Sequence, residues 1–556
     1  MVIEVYFMFF DSILFKIKNN SLFFWISQYA DYIALVILNI FTHYLFITYF
    51  KFVADDWVQM VYSDFSNYSF SHLLVESQRP GQYILIKIVI DAFGGVAIRY
   101  HLLNFVLTTI LILVIYITAK SLFKILFLKP DPYAFFFASS FCILFNKDQL
   151  YPWANLFYDN IAYILYFSSF YFYLQSASKR SYLFLSWFSY AIALFIYQMG
   201  ALLPLIFVFY DILQKKVSKR IIWFVIPPFA YMMIRITNWF GFGWVYMNFN
   251  YNYISKNFVV YLMNNIAHDI ITSIGVTVIN PVYAIIGLMK LTVIALCLLI
   301  ILDLIISWII CQYIIIILKA DPVRIPDYSE KIIQFIIFCL IGIFFSYLTI
   351  SANGYIESRY LLIIDFFLVM VLTFLIIPMI NKRKCLFIMI FALCLLLNQG
   401  LYINWIISGD IQDSVNHGII SHSGEIIQKS YFFINVSDFY KAQPNFIFTI
   451  GPKYSLHLNQ YSNQIYDPYL NSQGLSQTSF ESMVIHGAHI NPSTTRLIYG
   501  TNGNVFVSAE NGTITYVNSN TGNYYKINQS DYYEGNSSNL LAGYNTQIMS
   551  VWFLNK

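Results

Sequence analysis

The sequence predicts an all-α polytopic membrane protein with a C-terminal strand-rich α/β domain outside the membrane. Three observations predict it. The 556-residue chain is 59% hydrophobic and only 11% charged, with a mean hydropathy of +0.62, which excludes a soluble globular protein. Apolar runs of about 20 residues recur, each long enough to cross ~30 Å of hydrocarbon. From residue 402 onward Asn, Ser, Gly and Tyr increase, and alternating stretches such as NVFVSAENGTITYVNS begin. The chain divides accordingly into a membrane domain, 1–401, and an outer domain, 402–556.

Spans are expected at 32–53, 98–118, 132–146, 161–177, 182–198, 200–213, 221–240, 291–318, 332–350, 361–380 and 385–401, about eleven crossings in all. The basic residues sort the loops. Lys16/Lys18, Lys120/Lys124/Lys129, Lys179/Arg180, Lys215/Lys216/Lys219/Arg220, Lys319/Arg324/Lys331 and Lys382/Arg383/Lys384 fall in alternate loops, which the positive-inside rule makes cytoplasmic. The N-terminus is then inside and the domain from 402 outside. Residues 2–10 are apolar but carry Glu4, with no basic leader and no small-residue cleavage site. The first span is therefore expected to be an uncleaved anchor.

The first outer loop, 54–97, contains RPGQYILIKIVIDAF (79–93), an apolar segment interrupted by Lys87 and Asp91 and closed by Gly94-Gly95. A span would bury both charges, so a helix lying in the outer interface is expected there, with Pro80 in its first turn. In the outer domain Asn511-Gly512 between two alternating stretches is a hairpin signal. The six Cys all lie in or beside spans, so neither a disulfide framework nor a Cys metal site is expected.

The charges at the outer ends of the spans are the candidate functional groups. Asp55 and Asp56 read either as a solvated pair capping a helix that starts at Trp57 or as reacting groups. In one pocket of low dielectric, two carboxylates raise one pKa, poising a base beside a charged neighbour. Arg79 is either a lipid-headgroup contact or a cation facing the same loop. Glu357 and Arg359, in SANGYIESRYLLIID (351–365), either pair with each other or act. The planar fork of Arg359 suits phosphate, with Tyr360 at the interface.

Tyr158 and Asp159, in YPWANLFYDN, offer an aromatic face and a carboxylate to a sugar, and Gln198 lies in the outer turn FIYQMGALLP. Arg235 sits toward the outer end of the seventh span, and Asp303 in mid-span is a candidate hydrogen-bonding link between helices. His486 and His489 have metal-compatible spacing but no partner cluster. The sequence contains no P-loop, GxGxxG or HExxH, so nucleotide-driven transport and zinc hydrolysis have no support.

Taken in order, ADDW, QRPGQYILIKIVIDAFGG, IRYHLLNFVLTTILILVIYITAKSLF, YQMGALLP and ESRYLL resemble the pattern of GT-C membrane glycosyltransferases. They are most similar to the serotype-converting, often phage-encoded O-antigen glucosyltransferases. The resemblance covers roughly residues 30–400; residues 402–556 match no pattern.

It implies a GT-C-like fold in the bacterial inner membrane and an undecaprenyl-phosphate-linked sugar donor. A single sugar, glucose in the first instance, would pass with inversion to a lipid-linked O-antigen repeat of lipopolysaccharide on the periplasmic side. Asp55 or Asp56 would be the base, and Arg359, with Arg79 and Arg235, would bind the donor phosphate. Trp57, Tyr158, Asp159, Gln198 and Glu357 would contact substrate. No cofactor is required, although a divalent metal near the acidic pair is compatible with the chemistry, and no nucleic-acid partner is implied. Transfer of another sugar to lipid A or another surface glycan stays open, as does, in a different class, a lipid-linked glycan flippase or transporter.

Overall fold

The architecture is that of a computed structural model. It describes residues 29–53, 56, 79–124, 130–176, 179–214, 219–231, 233, 251–320, 329–351, 358–380 and 382–421, together with seven short strands beyond residue 430. The helices, numbered here in chain order, are α1 Ala30–Asn39, α2 Pro80–Phe93, α3 Ala97–Phe123, α4 Asp131–Ile143, α5 Phe157–Gln175, α6 Arg180–Ile196, α7 Leu203–Leu213, α8 Tyr251–Leu288, α9 Val293–Ala320, α10 Ser329–Ser351, α11 Leu362–Ile380 and α12 Lys384–Ser421. Among the described residues, seven segments are long and apolar enough to cross a membrane: Ala30–Tyr49, Ala97–Phe123, Ile266–Leu288, Val293–Leu318, Lys331–Ile350, Arg359–Ile377 and Lys384–Asp410. Their outward faces are bare hydrocarbon. Val293, Ile294, Leu298 and Met389 are each more than half exposed, a surface that suits lipid and not water. The chain is a helical membrane protein.

Six of those segments coincide with expected spans. The expected crossings at 132–146, 182–198 and 200–213 are instead short helices: α4, α6 and α7 have 13, 17 and 11 residues. At about 1.5 Å per residue none covers ~30 Å alone. In α4 every residue except Asp131 and Ser140 is buried. It is a central helix wrapped by its neighbours, and its apolar run reports burial in protein, which hydropathy does not separate from burial in lipid. Conversely, α8 lies where no span was expected; Asn264, Asn265, His268, Asp269 and Asn280 dilute its apolar run. A crossing there enters the count on which the sides of the later loops were assigned.

Polar interlocks fix the depth of each helix. At one end, Asp31 of α1 accepts hydrogen bonds from the hydroxyls of Tyr116 (α3) and Tyr313 (α9), and Lys120 pairs with Asp131. In the middle, Asn39 donates to Thr108 and Thr109 of α3. The first span then makes a π-helical turn, Ile40–Tyr44, which brings His43 inward. His43 Nε2 lies 2.9 Å from the Cys142 carbonyl and can only donate there, which leaves Nδ1 to accept the Tyr402 hydroxyl at 2.5 Å. At the other end Lys51 pairs with Asp410 at 2.7 Å. α8 and α12 meet through glycine: a Cβ on Gly287 would stand 2.0 Å from the Gly400 carbonyl, and one on Gly400 2.2 Å from that of Ala284. Backbones this close admit no side chain, as at small-residue crossings in membranes.

α2 is a helix where the sequence analysis expects one, at 79–93. Pro80 opens it, Gly94 closes it at φ 59°, and Lys87 pairs with Asp91 one turn on at 3.2 Å, both partly exposed. Gly81 lets it rest on the end of α6, since a Cβ there would meet Ile196 Cγ1 at 2.9 Å.

The seven strands are β1 Tyr431–Val436, β2 Thr495–Gly500, β3 Val505–Glu510, β4 Thr513–Asn518, β5 Tyr524–Asn528, β6 Tyr532–Gly535 and β7 Met549–Leu554. They form one sheet in the order β5-β4-β3-β2-β1-β7-β6 with every pairing antiparallel. Glu510 of β3 pairs with Thr513 of β4; the Asn511-Gly512 hairpin signal lies outside the described residues. No helix lies between these strands among the described residues.

Replacing Gly400 with Leu should force α8 and α12 apart and destabilise the fold by about 3 kcal/mol or more. A lowered midpoint of thermal unfolding in detergent is the expected readout.

Candidate functional site

The candidate groups collect at the Lys51–Asp410 end of the helices, around the turn 153–156 that leads into α5. That turn is held from two sides. Asn104 of α3 donates to the carbonyls of Trp153 (3.1 Å) and Ala154 (2.9 Å). From the exit of the first span, Asp56 accepts three backbone N–H groups: Val53 at 3.0 Å, Ala154 at 3.3 Å and Asn155 at 2.8 Å. The Asn155 side chain returns the contact, donating to the Asp56 carbonyl at 3.0 Å. Asp56 is fully buried, and accepting several backbone N–H groups fixes its carboxyl group in one orientation.

The turn presents Trp153 to Arg359. The guanidinium carbon lies 4.9 Å from the Trp153 ring centroid and 5.1 Å from that of Tyr360, whose hydroxyl accepts from Arg359 Nη2 at 3.2 Å. Tyr163 of α5 donates to the Arg359 carbonyl at 2.9 Å and fixes the short helix Ser358–Leu361 that carries it. Asp159, in the first turn of α5 where the helix dipole favours a carboxylate, faces Arg359 with a closest N···O of 3.9 Å. Both are buried, at 7% and 0% exposure. The separation exceeds hydrogen-bond reach, so this pair attracts across a gap.

Arg79 approaches from α2. Its guanidinium lies 4.8 Å over the Tyr197 ring and donates to Gln82 at 3.3 Å. Burial works against its charge, but Tyr197, Tyr360, Tyr158 and Asp159 around it outweigh that and raise its pKa above the ordinary arginine value. The Tyr197 ring also meets those of Tyr158, Tyr163 and Tyr360 with centroids 6.1–6.5 Å apart. Two cations, one acid and several aromatic rings thus form one packed cluster, with a narrow apolar cavity near it between α5, α7, α10 and α11, lined by Met199, Phe345 and Phe367.

Of the residues singled out from sequence, Asp56, Arg79, Tyr158, Asp159 and Arg359 are brought together here, and Gln198 stands next to Tyr197 in the turn after α6. Asp55, Trp57, Arg235 and Glu357 lie outside the described residues, as do His486 and His489. Pairing of Arg359 with Glu357, one reading of the sequence, falls outside the described residues; among those described, Asp159 faces Arg359. Trp153, Asn155, Asn104 and Tyr163 were missed. Trp153 and Asn155 lie in the quoted loop, but backbone hydrogen bonding, which gives them their role, leaves no mark in residue type. Asp303 does link helices, accepting from Gln399 of α12 at 2.9 Å. Among the described residues no group of three or more His, Cys, Asp or Glu could hold a metal ion.

No protein-family model and no curated protein matches the chain.

Asp56→Asn replaces an acceptor oxygen with an NH₂ facing backbone N–H groups. It should cost about 1–3 kcal/mol, seen as a lower unfolding midpoint. Asn155→Ala, which removes only the returning contact, should cost less, about 1 kcal/mol.

Proposed function

We propose that this protein is an inverting glycosyltransferase of the bacterial inner membrane. It moves a single sugar, glucose in the first instance, from undecaprenyl phosphate to O-antigen repeat units on the periplasmic side. The observation that carries the reading is the cluster in which Arg359 lies over Trp153 and Tyr360 and opposite Asp159, with Arg79 over Tyr197 next to it. Buried arginines backed by aromatic faces suit a phosphate leaving group, and the same aromatic faces suit a sugar ring.

In this reading the acceptor hydroxyl oxygen attacks the anomeric carbon while a carboxylate takes its proton. The bond from that carbon to the phosphate oxygen breaks, and the electron pair leaves on polyprenyl phosphate. Arg359, with Arg79, stabilises the growing charge. Asp159 keeps Arg359 poised until a phosphate displaces it. Because Asp56 spends both oxygens on backbone N–H groups, the base falls to Asp55, with Asp56 fixing the loop that presents it. The strands beyond residue 430 belong to the same reading, as part of a periplasmic domain over the acceptor.

Purified protein incubated with labelled polyprenyl-phosphate glucose and lipid-linked O-antigen tests the proposal. Transfer should be lost by at least about 10²-fold in Asp55→Asn, the scale of general-base catalysis, with unchanged thermal stability. Arg359→Lys should keep the charge yet lose most donor turnover, because an ammonium cannot reproduce the planar fork. Wild-type protein that binds the donor but only exchanges it between vesicle leaflets would replace the transferase by a flippase.

A further inference from the structure

The place of α12 in the bundle is fixed by three neighbours. Gly400 lies against the backbone of α8, where no side chain fits. Asn404 donates to the Tyr283 carbonyl of α8, and Asn398 to the Ile143 carbonyl at the end of α4, each at 2.7 Å. Tyr402 meets His43 of the first span. A helix held this way does not slide without stranding buried polar groups.

From Tyr402 onward one side of α12 turns to the candidate site. Residues 402, 405 and 409 stand three and four apart and so share a face. The Tyr402 ring meets that of Phe50 at 6.0 Å between centroids. The Trp405 ring lies 6.2 Å from that of Trp153, and both tryptophans are buried. At position 409 a Cβ would stand 3.0 Å from Lys51 Cβ, so glycine there lets Lys51 lie along the helix and reach Asp410 at 2.7 Å.

Together with Asp56 these contacts close a triangle. Asp56 ties the exit of the first span to the turn 153–156, Lys51 ties the same exit to α12 through Asp410, and Trp405 ties α12 back to Trp153. Any two sides would leave a hinge; the third removes it. Trp153 is also the ring over which the Arg359 guanidinium lies, at 4.9 Å. The Lys51–Asp410 pair is 35% and 33% exposed, and pairs at that exposure add little stability. Closing the triangle selects a geometry even so.

We propose that Trp405, Lys51 and Asp410 are positioning residues for Arg359, acting through Trp153. The outer part of α12 sets the place of the ring on which the guanidinium rests, and with it the place where a donor phosphate is held. That use of Arg359 rests on the transferase reading; the coupling of α12 to Trp153 does not.

The test uses the full chain labelled with 5-fluorotryptophan in detergent, in which the Trp153 fluorine resonance is assigned by its loss in Trp153→Phe. Asp410→Asn should shift that resonance, and the charge exchange Lys51→Glu with Asp410→Lys should return it toward the wild-type position, with the unfolding midpoint unchanged in both. In the transfer assay with polyprenyl-phosphate glucose, Trp405→Ala should lower kcat/KM by about tenfold to a hundredfold, the scale of a misplaced site group. It should add no further loss in a Trp153→Ala background, because both act through one ring. Trp405→Phe, which keeps an aromatic face, should recover most of the loss. A Trp153 resonance that stays in place in Asp410→Asn overturns the proposal, as do losses that simply multiply in the double variant. The Asp410 variants decide alone if Trp405→Ala does not fold. Wild-type protein that transfers no sugar overturns the transferase reading only, and the Trp153 resonance then decides the coupling.

Discussion

The carboxyl group of Asp56 holds the exit of the first span against the turn before α5, and the charged cluster is built outward from that contact. Three backbone N–H groups from two segments far apart in sequence converge on it. Without it, those donors would be stranded where no water reaches them, at about 1–3 kcal/mol each. With it, residues 153–156 have one position, Trp153 becomes the floor under Arg359, and α5 starts where Asp159 can face that cation. The aromatic contacts around Tyr197 are then a consequence of where the turn is fixed.

The charges in the cluster follow a common logic. A guanidinium buried among apolar side chains is strongly disfavoured unless something compensates it. Arg359 has compensation from ring faces, a phenol oxygen and a carboxylate across a gap; Arg79 has it from the Tyr197 face and Gln82. Those contacts orient both guanidinium groups.

Much of this was legible in the sequence wherever the deciding physics is local. Pro80 and Gly94 bound α2, the Lys87–Asp91 spacing gives its ion pair, and six of the membrane segments stand out by apolar length alone. The clustering of Arg79, Asp159 and Arg359 at one end followed from their positions beside span ends. What was not legible depends on surroundings. A run of apolar residues reads the same whether its neighbours are lipid or protein, so α4 was taken for a crossing. α8 was overlooked because its polar residues find partners in other helices, as Asn280 does with the Phe145 carbonyl. The role of Asp56 was hidden for a third reason, since its partners are main-chain groups that every sequence possesses.

The π-turn at Ile40–Tyr44 sets a phase relation along the first span. A regular helix advances about 100° per residue, and a π-turn accommodates one residue that the regular repeat would not. Below it Asn39 meets α3, within it His43 meets α4 and α12, and beyond it Phe50 and Phe52 meet His101, Tyr402 and Tyr100. The extra residue works as a rotational spacer: it turns His43 toward Cys142 and Tyr402 while Asn39, just before it, keeps its contact with α3.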